Sequence, residues 1–460
     1  MQKHFYTFIA VLLFSSSFAQ EKVEKTYSFT LQEAIAFALE NNYSAINASR
    51  DLIDAKKQKW ETIATGLPQV SGNIGYQNQI KQGEVFFPSI LIPEQFLRDG
   101  VVQDPETFIP LVLTAPQSAT ATATLNQQIF NGSYIVGVQA TKAFLSYSQN
   151  NKEKTDLEIR KSVTEAYGNV LLAQESISIL EKNKANLEKN LFETTKIFEN
   201  GLGDEESVEQ LQITLSSVDS QLKNSVRLKA ITLQMLNLIM GLDIDSPTQL
   251  EENLDEMAQK QIDFNLLETD FNIENNVDFK LATNLNQQRY YEWKLEKSRA
   301  LPTLNAFVNY GASAFSDNFD FLSSDQTWFE SSILGFSLNI PIFSSGKRNA
   351  STARAKIALE KAKTQLTEAE EQIRLQLESA KSNYILAIEQ YQTSKDNLNL
   401  AERIETKNQI KYNEGLATSF ELRQAQTQLY SAQQTYLQSM VDVINKKAGL
   451  ENILNTKSSN

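Results

Sequence analysis

Residues 338–350 read LNIPIFSSGKRNA, and within them the chain changes from one structural period to another. Leu338, Ile340 and Ile342 alternate with other residues at a period of two, which predicts a β-strand. The chain then passes through Ser-Ser-Gly into a long polar stretch that predicts a helix. Residues 125–137, LNQQIFNGSYIVG, make almost the same change. A strand that leads through a glycine turn into a long helix therefore occurs twice.

These two stretches belong to a longer internal repeat. Residues 41–76 align without a gap with residues 275–310, and an Asn-Asn pair, a Leu-Pro pair and a tyrosine match in order. Further along, Gly201-Leu202 aligns with Gly415-Leu416. Matches that are sparse but keep their order indicate a tandem duplication.

Each copy predicts a helix, a strand, a loop, a second strand, a very long helix, a turn and a last helix. The predicted strands lie at about 69–80, 117–130, 303–315 and 331–343. The predicted helices lie at about 30–66, 132–199, 205–241, 277–300, 346–413 and 418–449. The chain as a whole divides into a signal peptide (1–19), a first repeat (20–242), an acidic connector (243–270), a second repeat (271–450) and a C-terminal tail (451–460).

The two longest helices are predicted to pack as coiled coils. Each would extend roughly 100 Å at a rise of about 1.5 Å per residue. In the second, residues from Ile373 to Ala401 recur in steps of three and four, which is a heptad pattern. Thr30 with Glu33 predicts a capping box at the start of the first helix.

The first residues, MQKHFYTFIAVLLFSSSFAQ, have the features of a secretory signal peptide. A basic Lys3 precedes an apolar run, and small residues precede a cleavage point after Ala19. An uncleaved anchor is the alternative interpretation, which the small residues before Gln20 disfavour. We therefore predict an exported protein.

The composition excludes most classes of catalytic site. The chain has no cysteine and one histidine, His4, which lies in the predicted signal peptide. Zinc sites and Ser-His-Asp triads need these residues, so we predict no catalytic residue, no metal and no cofactor. Catalysis by carboxylates, lysine or tyrosine alone is the remaining alternative, and no such pair stands out.

The charge balance limits the partners. With 43 basic and 56 acidic residues, the net charge is −13, which disfavours nucleic acid and anionic lipid. Beyond the signal peptide no apolar run reaches the length of a membrane-spanning helix.

The predicted strands alternate apolar residues with Ser, Thr, Asn, Gln and Gly. This pattern is typical of transmembrane strands with one face towards lipid and one towards a wet lumen. A half-exposed sheet outside a membrane is the alternative. Four strands in lipid leave two unpaired edges, and the smallest barrels have eight strands, so the chain must oligomerise. We predict an α+β membrane protein in which three chains form a twelve-stranded barrel that continues into a long helical coiled-coil barrel.

At this level the sequence resembles the TolC-like outer-membrane efflux and secretion channels. The resemblance spans nearly all of 27–450 and is carried by FTLQEAIAFALENN (29–42), LNIPIFSSGKRNA (338–350) and YNEGLATSFELRQAQTQLYSAQQTYL (412–437). It implies a homotrimer in outer-membrane lipid, a periplasmic helical tunnel and an equatorial belt that the connector would form. It also implies two partners, a periplasmic adaptor protein and an inner-membrane pump of RND or ABC type.

The resemblance also implies two sites at the periplasmic tip. The adaptor would dock at two turns, Gly201-Leu202-Gly203 and Gly415-Leu416-Ala417-Thr418. The alternative for each glycine is an ordinary left-handed helix cap without a partner. The pore constriction of the family falls on Glu421 and Gln424, where a second acidic residue is replaced by an amide. The alternative interpretation of Glu421 is an ordinary position on a solvent-exposed helix face.

The resulting prediction is a passive outer-membrane exit duct of a tripartite efflux pump that exports small molecules. A channel for type I protein secretion is one alternative, and a secreted coiled-coil scaffold or adhesin is another of a different class. A periplasmic hydrolase is a distant third. The long first loop, about 81–117, contains the apolar run VFFPSILIPEQF (85–96), and folding over the channel mouth is our hypothesis for it.

Overall fold

The structure is a computed structural model that describes residues 26–97 and 102–455, so the predicted signal peptide lies outside the described residues. The helices are α1 (Leu31–Asn41), α2 (Tyr43–Ala64), α3 (Gly132–Glu199), α4 (Glu205–Met240), α5 (Leu254–Lys260), α6 (Asn265–Glu268), α7 (Val277–Ser298), α8 (Lys347–Asn413) and α9 (Ser419–Leu454). The strands are β1 (Tyr27–Phe29), β2 (Gln69–Asn78), β3 (Val85–Pro88), β4 (Phe108–Leu111), β5 (Gln117–Asn131), β6 (Thr248–Leu250), β7 (Thr303–Ser316) and β8 (Trp328–Asn339).

Contacts divide the chain into two compact units that differ from the two sequence repeats. Of the described residues, 26–54, 146–285 and 363–455 form the helical unit. The sheet unit comprises Ala55–Leu145 and Asn286–Ala362. Each repeat therefore contributes to both units.

The main sheet of the sheet unit is antiparallel, with the order β2-β5-β7-β8. One row across it consists of Val70, Leu125, Val308 and Leu334, which are paired in register from strand to strand. The predicted alternation is thus kept across all four strands, and the apolar side chains form one continuous face. Val70 is 72% exposed and Leu334 is 67% exposed, so the described residues leave this face uncovered.

A β-bulge adjusts the long strand β5 near its end. The pairing with β7 shifts between Gln128 and Phe130, which leaves Ile129 as the extra residue. Phe130 then pairs with Leu304. The bulge keeps the last apolar residue of β5 beside the apolar start of β7, because one inserted residue exchanges the two faces of a strand.

The prediction of a strand at 331–343 is wrong at both ends, because β8 spans Trp328–Asn339. Asn339 is paired with Thr303, the first residue of β7, so the residues after Asn339 have no neighbouring strand. The strand ends where its partner ends rather than at Pro341. The following turn is held by Arg348, whose guanidinium donates to the carbonyl of Pro341 at 2.7 Å.

The two longest helices begin at the predicted glycine turns, but the last helix is longer than predicted. The sequence predicted 418–449 and a tail from 451, whereas α9 continues to Leu454. Leu450 and Leu454 are buried, and the side-chain amide of Asn276 donates to the carbonyl of Ile453 at 2.9 Å. Packing of these residues extends the helix, and α4 and α9 have the same length of 36 residues.

The predicted single helix at 30–66 is interrupted at Asn42, which separates α1 from α2. The side chain of Asn42 donates to the carbonyl of Ile239 at 2.7 Å and accepts from the N–H of Ser44 at 2.7 Å. The interruption is therefore caused by an asparagine that hydrogen-bonds outside the helix. Thr30 and Glu33 form the predicted capping box at the start of α1.

The predicted acidic connector is an ordered part of the helical unit. Its strand β6 pairs in parallel with β1, and α5 and α6 contribute Leu254, Met257 and Leu266 to the core. Two buried tyrosines of the long helices bond to the connector and to β1, the strand that pairs with it. The hydroxyl of Tyr167 donates to the carbonyl of Phe29 at 3.0 Å, and that of Tyr384 donates to the carbonyl of Gln261 at 2.6 Å.

Within the described residues, no helix has a stretch long and apolar enough to cross a membrane.

Candidate docking and constriction site at the helix turns

The first predicted turn links α3 to α4 through a left-handed glycine. Gly201 has a φ of 75°, and its N–H donates to the carbonyl of Phe198 at 2.8 Å. The N–H of Leu202 donates to the carbonyl of Ile197 at 3.0 Å. This pair of bonds is a Schellman motif, which satisfies the last carbonyls of a helix.

The second turn, between α8 and α9, repeats the motif. Gly415 has a φ of 72° and donates to the carbonyl of Tyr412 at 3.0 Å, while Leu416 donates to the carbonyl of Lys411 at 2.7 Å. Ala417 also donates to Lys411, at 3.2 Å. The two copies of the sequence therefore build the same local structure here.

Hydrogen bonds between the helices bring the two turns to the same end of the helical unit. The hydroxyls of Ser207 and Ser419 are 2.7 Å apart, which places the starts of α4 and α9 side by side. The hydroxyls of Thr194 and Tyr412 are 2.9 Å apart near the ends of α3 and α8. All four helix ends therefore meet in one place, which we call the turn end.

The most exposed apolar side chains of the turn end are the two leucines of the turns. Leu202 is 82% exposed and Leu416 is 78% exposed. Gly203 next to the first leucine is exposed, and Ala417 next to the second is half-buried. Two equivalent leucines that project from tight turns are a surface that a partner protein could cover.

Glu421 forms a capping box with Thr418. Its carboxylate accepts from the backbone N–H of Thr418 at 2.8 Å and from the hydroxyl of Thr418 at 3.0 Å. The backbone hydrogen bond from Thr418 is the main cause that lowers the pKa of Glu421, and the Thr418 hydroxyl and the positive charge of Lys411 add to it. Within a single chain Glu421 is thus an anionic helix cap, and its place in a constriction stays a prediction.

Gln424 lies one turn further along α9 and is exposed. It lines an open groove of about 890 Å³ between α8 and α9, together with Leu400, Ile404, Phe420, Arg423 and Thr427. The guanidinium of Arg423 lies over the ring of Phe420, 5.3 Å from its centre. The structure therefore places Glu421 and Gln424 one turn apart on α9, and Gln424 lines the groove.

The helices at the turn end pack through polar side chains. The amide of Asn190 donates to the side chain of Gln409 at 3.1 Å, and that of Asn183 donates to the side chain of Gln433 at 2.8 Å. Gln426 is also buried. Burial raises the pKa of Glu405, whereas that of Glu421 is lowered. The turn end therefore combines polar pairs with a small apolar cluster of Leu187, Leu211 and Val218.

The described residues contain no cluster of three or more His, Asp or Glu side chains that could hold a metal ion. What the turn end offers is a surface, an open groove and a few carboxylates.

Solved structures of outer membrane channels share this fold. The outer membrane protein VceC of Vibrio cholerae has a TM-score of 0.69 at 16% identity, over 92% of this chain and 96% of that chain. The CmeC channel of Campylobacter jejuni has a TM-score of 0.71 at 17% identity, over 92% and 85%. The open state of the MtrE channel of Neisseria gonorrhoeae has a TM-score of 0.66 at 16% identity, over 92% and 88%. The fold class is thus that of outer membrane channel subunits.

The sequence defines the family more narrowly. The profile of the outer membrane efflux protein family matches residues 113–242 and 272–456. The chain belongs to this family, and its TolC-like character and its location in the outer membrane are thereby confirmed. No curated protein matches the sequence significantly. The family is one of efflux channels rather than enzymes.

Sequence reasoning missed two features of the turn end. Thr418-Ser-Phe-Glu421 is a capping-box pattern, like the one recognised at Thr30, and it would have given Glu421 a structural role at once. The buried polar pairs carried no signal, because Asn190 and Gln409 are far apart in sequence and an isolated amide looks like a surface residue.

Proposed function

We propose that three copies of the chain form a passive exit duct across the outer membrane. The observation that carries this proposal is the main sheet, which has a continuous apolar face and two edge strands, β2 and β8, without a partner in the described part of the chain. An unpaired edge in hydrocarbon costs several kcal/mol for each lost hydrogen bond. Pairing β8 of one copy with β2 of the next removes every edge, and three copies give the twelve strands of the predicted barrel.

In this assembly the helical unit forms the periplasmic part of the duct. The turn end would dock a periplasmic adaptor protein, which connects the duct to an inner-membrane pump of RND or ABC type. Support for docking comes from the exposed Leu202 and Leu416, which occupy equivalent places in the two repeats. Gly201, Gly203, Gly415, Ala417 and Thr418 would hold these leucines in position.

The same end would contain the narrowest part of the duct. Glu421 and Gln424 lie on one face of α9, beside the second turn, so three copies would supply a ring of carboxylates and a ring of amides. Carboxylates in a narrow aqueous passage favour cations. Exported small molecules are the proposed cargo, and secretion of protein is the alternative outcome that transport assays would reveal.

Sedimentation in a mild detergent tests the assembly. We expect a trimer of the processed chain, extracted from the outer-membrane fraction. A folded monomer would contradict the proposal, because β2 and β8 would then lie in the membrane without a pairing strand.

A double variant tests the docking surface. Leu202→Asp with Leu416→Asp should abolish export in cells while the trimer still assembles, because the changes lie at exposed positions. Asn200→Asp is the matched control, since it adds the same charge to the first turn without removing a leucine. Export that continues normally in the double variant would show that docking uses another surface.

A further inference from the structure

The loop between β2 and β5 contains a hairpin of its own. Strands β3 and β4 pair from Val85 with Leu111 to Pro88 with Phe108. Its base is closed by the N–H of Gln79, which donates to the carbonyl of Pro116 at 2.8 Å. This hairpin belongs to the sheet unit and continues outward from the edge strand β2.

A buried serine orders the far end of the hairpin. Ser89 is fully buried, and its hydroxyl accepts from the N–H of Asp104 at 2.7 Å. Its own N–H donates to the carbonyl of Thr107 at 2.7 Å. The hairpin is thus a defined structure, although a pair of four-residue strands is marginally stable alone.

One face of the hairpin is apolar and uncovered. Strand alternation places Phe86, Phe108 and Pro110 on the same face, and we call these three residues the hairpin face. Phe86 is 61% exposed and Phe108 is 57% exposed. No charged residue occurs in 85–93 or in 107–116.

The other loop of the sheet shows how such aromatics are normally covered. In the loop after β7, Phe321 is buried, and its ring lies 5.9 Å from that of Tyr76 in β2. The hairpin face has no such cover within the described chain. Exposed apolar surface that is rimmed by polar residues marks an interaction site.

The position of the hairpin indicates what covers it. It leaves the sheet from β2, the edge strand that a neighbouring copy must pair in the proposed channel, so a second copy is the surface next to it. Pro88 and Pro110 lack N–H donors, which disfavours the addition of a further strand to the hairpin. Contact through side-chain faces is therefore favoured over strand pairing.

We infer that the hairpin face packs against the hairpin of the neighbouring copy, so that the three hairpins meet over the outer mouth of the duct. This inference rests on the proposed trimeric channel. It gives the long first loop a role that its sequence alone leaves open: the contact holds three copies together on the outer side and narrows the exit.

The absence of cysteine makes a clean crosslinking test. In Phe86→Cys each chain has a single thiol, so any disulfide joins two chains. Oxidation of the purified trimer should shift chains from the monomer band to a disulfide-linked dimer band, and the shift should persist on dilution. Leu322→Cys in the other loop is the control, because it is 92% exposed and should stay monomeric.

Channel recordings supply a second measurement. Phe86→Ser with Phe108→Ser should raise the single-channel conductance of the trimer in planar bilayers, since the hairpins would separate. Phe87→Ser is the comparison variant, because Phe87 lies on the opposite, partly covered face of the hairpin. It should leave the conductance closer to that of the wild type.

The outcomes separate this inference from the proposed function. A stable trimer with no dimer band for Phe86→Cys, by oxidation or with a short bis-maleimide, and with unchanged conductance in the serine variant would overturn the hairpin contact alone. A Phe86→Cys thiol that reacts only with a lipid-embedded probe would show that lipid covers the face, and it would also overturn the inference. A chain that forms no trimer would overturn both.

Discussion

The two ends of the helical unit are built from the same four helices but differ in the size of their apolar core. Near the connector the core is apolar, and Leu236, Met440 and Ile444 are almost completely buried. At the turn end the same helices combine a smaller apolar cluster, which includes Leu187 and Leu211, with amide and hydroxyl pairs such as Asn190 with Gln409. Apolar packing is strong and tolerates little change, whereas polar pairs add little net stability to the folded state. We therefore expect the connector end to contribute more to the stability of the helical unit than the turn end does.

The largest effect is expected from Met440→Ala at the connector end. Truncation of a buried methionine costs about 2–5 kcal/mol, because a cavity remains where the side chain packed. Thermal unfolding of the purified protein measures it, with Asn190→Ala at the turn end as the comparison. Equal destabilisation by the two variants would contradict the difference between the ends.

A smaller loss is expected from Gly415→Ala. The φ of 72° at this position is left-handed, which costs a residue with a Cβ about 1–2 kcal/mol. Gly449→Ala is the matched control, because Gly449 lies inside α9 with open space around its Cβ position. It should stabilise the helix, by about 1 kcal/mol. If both substitutions destabilise the protein equally, the left-handed conformation of Gly415 is not the cause of the loss of stability.

Thr418→Ala should remove the cap of α9 at a cost of about 1 kcal/mol. The pKa of Glu421 lies below its ordinary value of 4.5 because Thr418 donates to the carboxylate. The carboxylate's part of the cap contributes fully above pH 4.5 and is lost as the pH falls through the lowered pKa. Thr418→Ala removes the hydroxyl that donates to this carboxylate and that accepts from the N–H of Glu421 at 3.2 Å, and only the first bond depends on pH. The difference in unfolding free energy between the variant and the wild type should therefore narrow in acid without vanishing; a difference that does not narrow would exclude the carboxylate.

The smallest effect on the fold, and the most specific effect on transport, is expected from the carboxylate ring. Glu421→Gln should reduce the cation selectivity of the channel, and Gln424→Glu should increase it. Reversal potentials under a salt gradient measure both. In a trimer, repulsion between three like charges would raise the pKa of Glu421, against the lowering by the cap. If both variants match the wild type, Glu421 lies outside the constriction.

Much of the fold could be read from the sequence because its signals are local. The period of two in β7 and the heptad steps of α8 each depend on residues a few positions apart. The glycines of both turns are predictable for the same reason, since only a left-handed residue closes a Schellman motif. Family resemblance added the expectation of an outer-membrane efflux channel and of its partner proteins.

The two glycine turns of the candidate site were predicted, whereas docking at these turns and a constriction at Glu421 stay predictions. The cap on Glu421 was overlooked although its pattern is local. The groove beside Gln424 could not be foreseen, because it exists only where α8 and α9 diverge enough to leave space between them.

The sequence by itself determined where the two longest helices and the strands β2, β5 and β7 begin, because caps, glycines and periodicity act over a few residues. The tertiary structure decided where β8 ends, since a strand stops when its partner has no further residue to pair. It also decided that Ile129 is a bulge, that the connector folds as β6, α5 and α6, and that α9 continues to Leu454. These features depend on contacts between residues distant in the chain, and such contacts form only when the distant segments pack together.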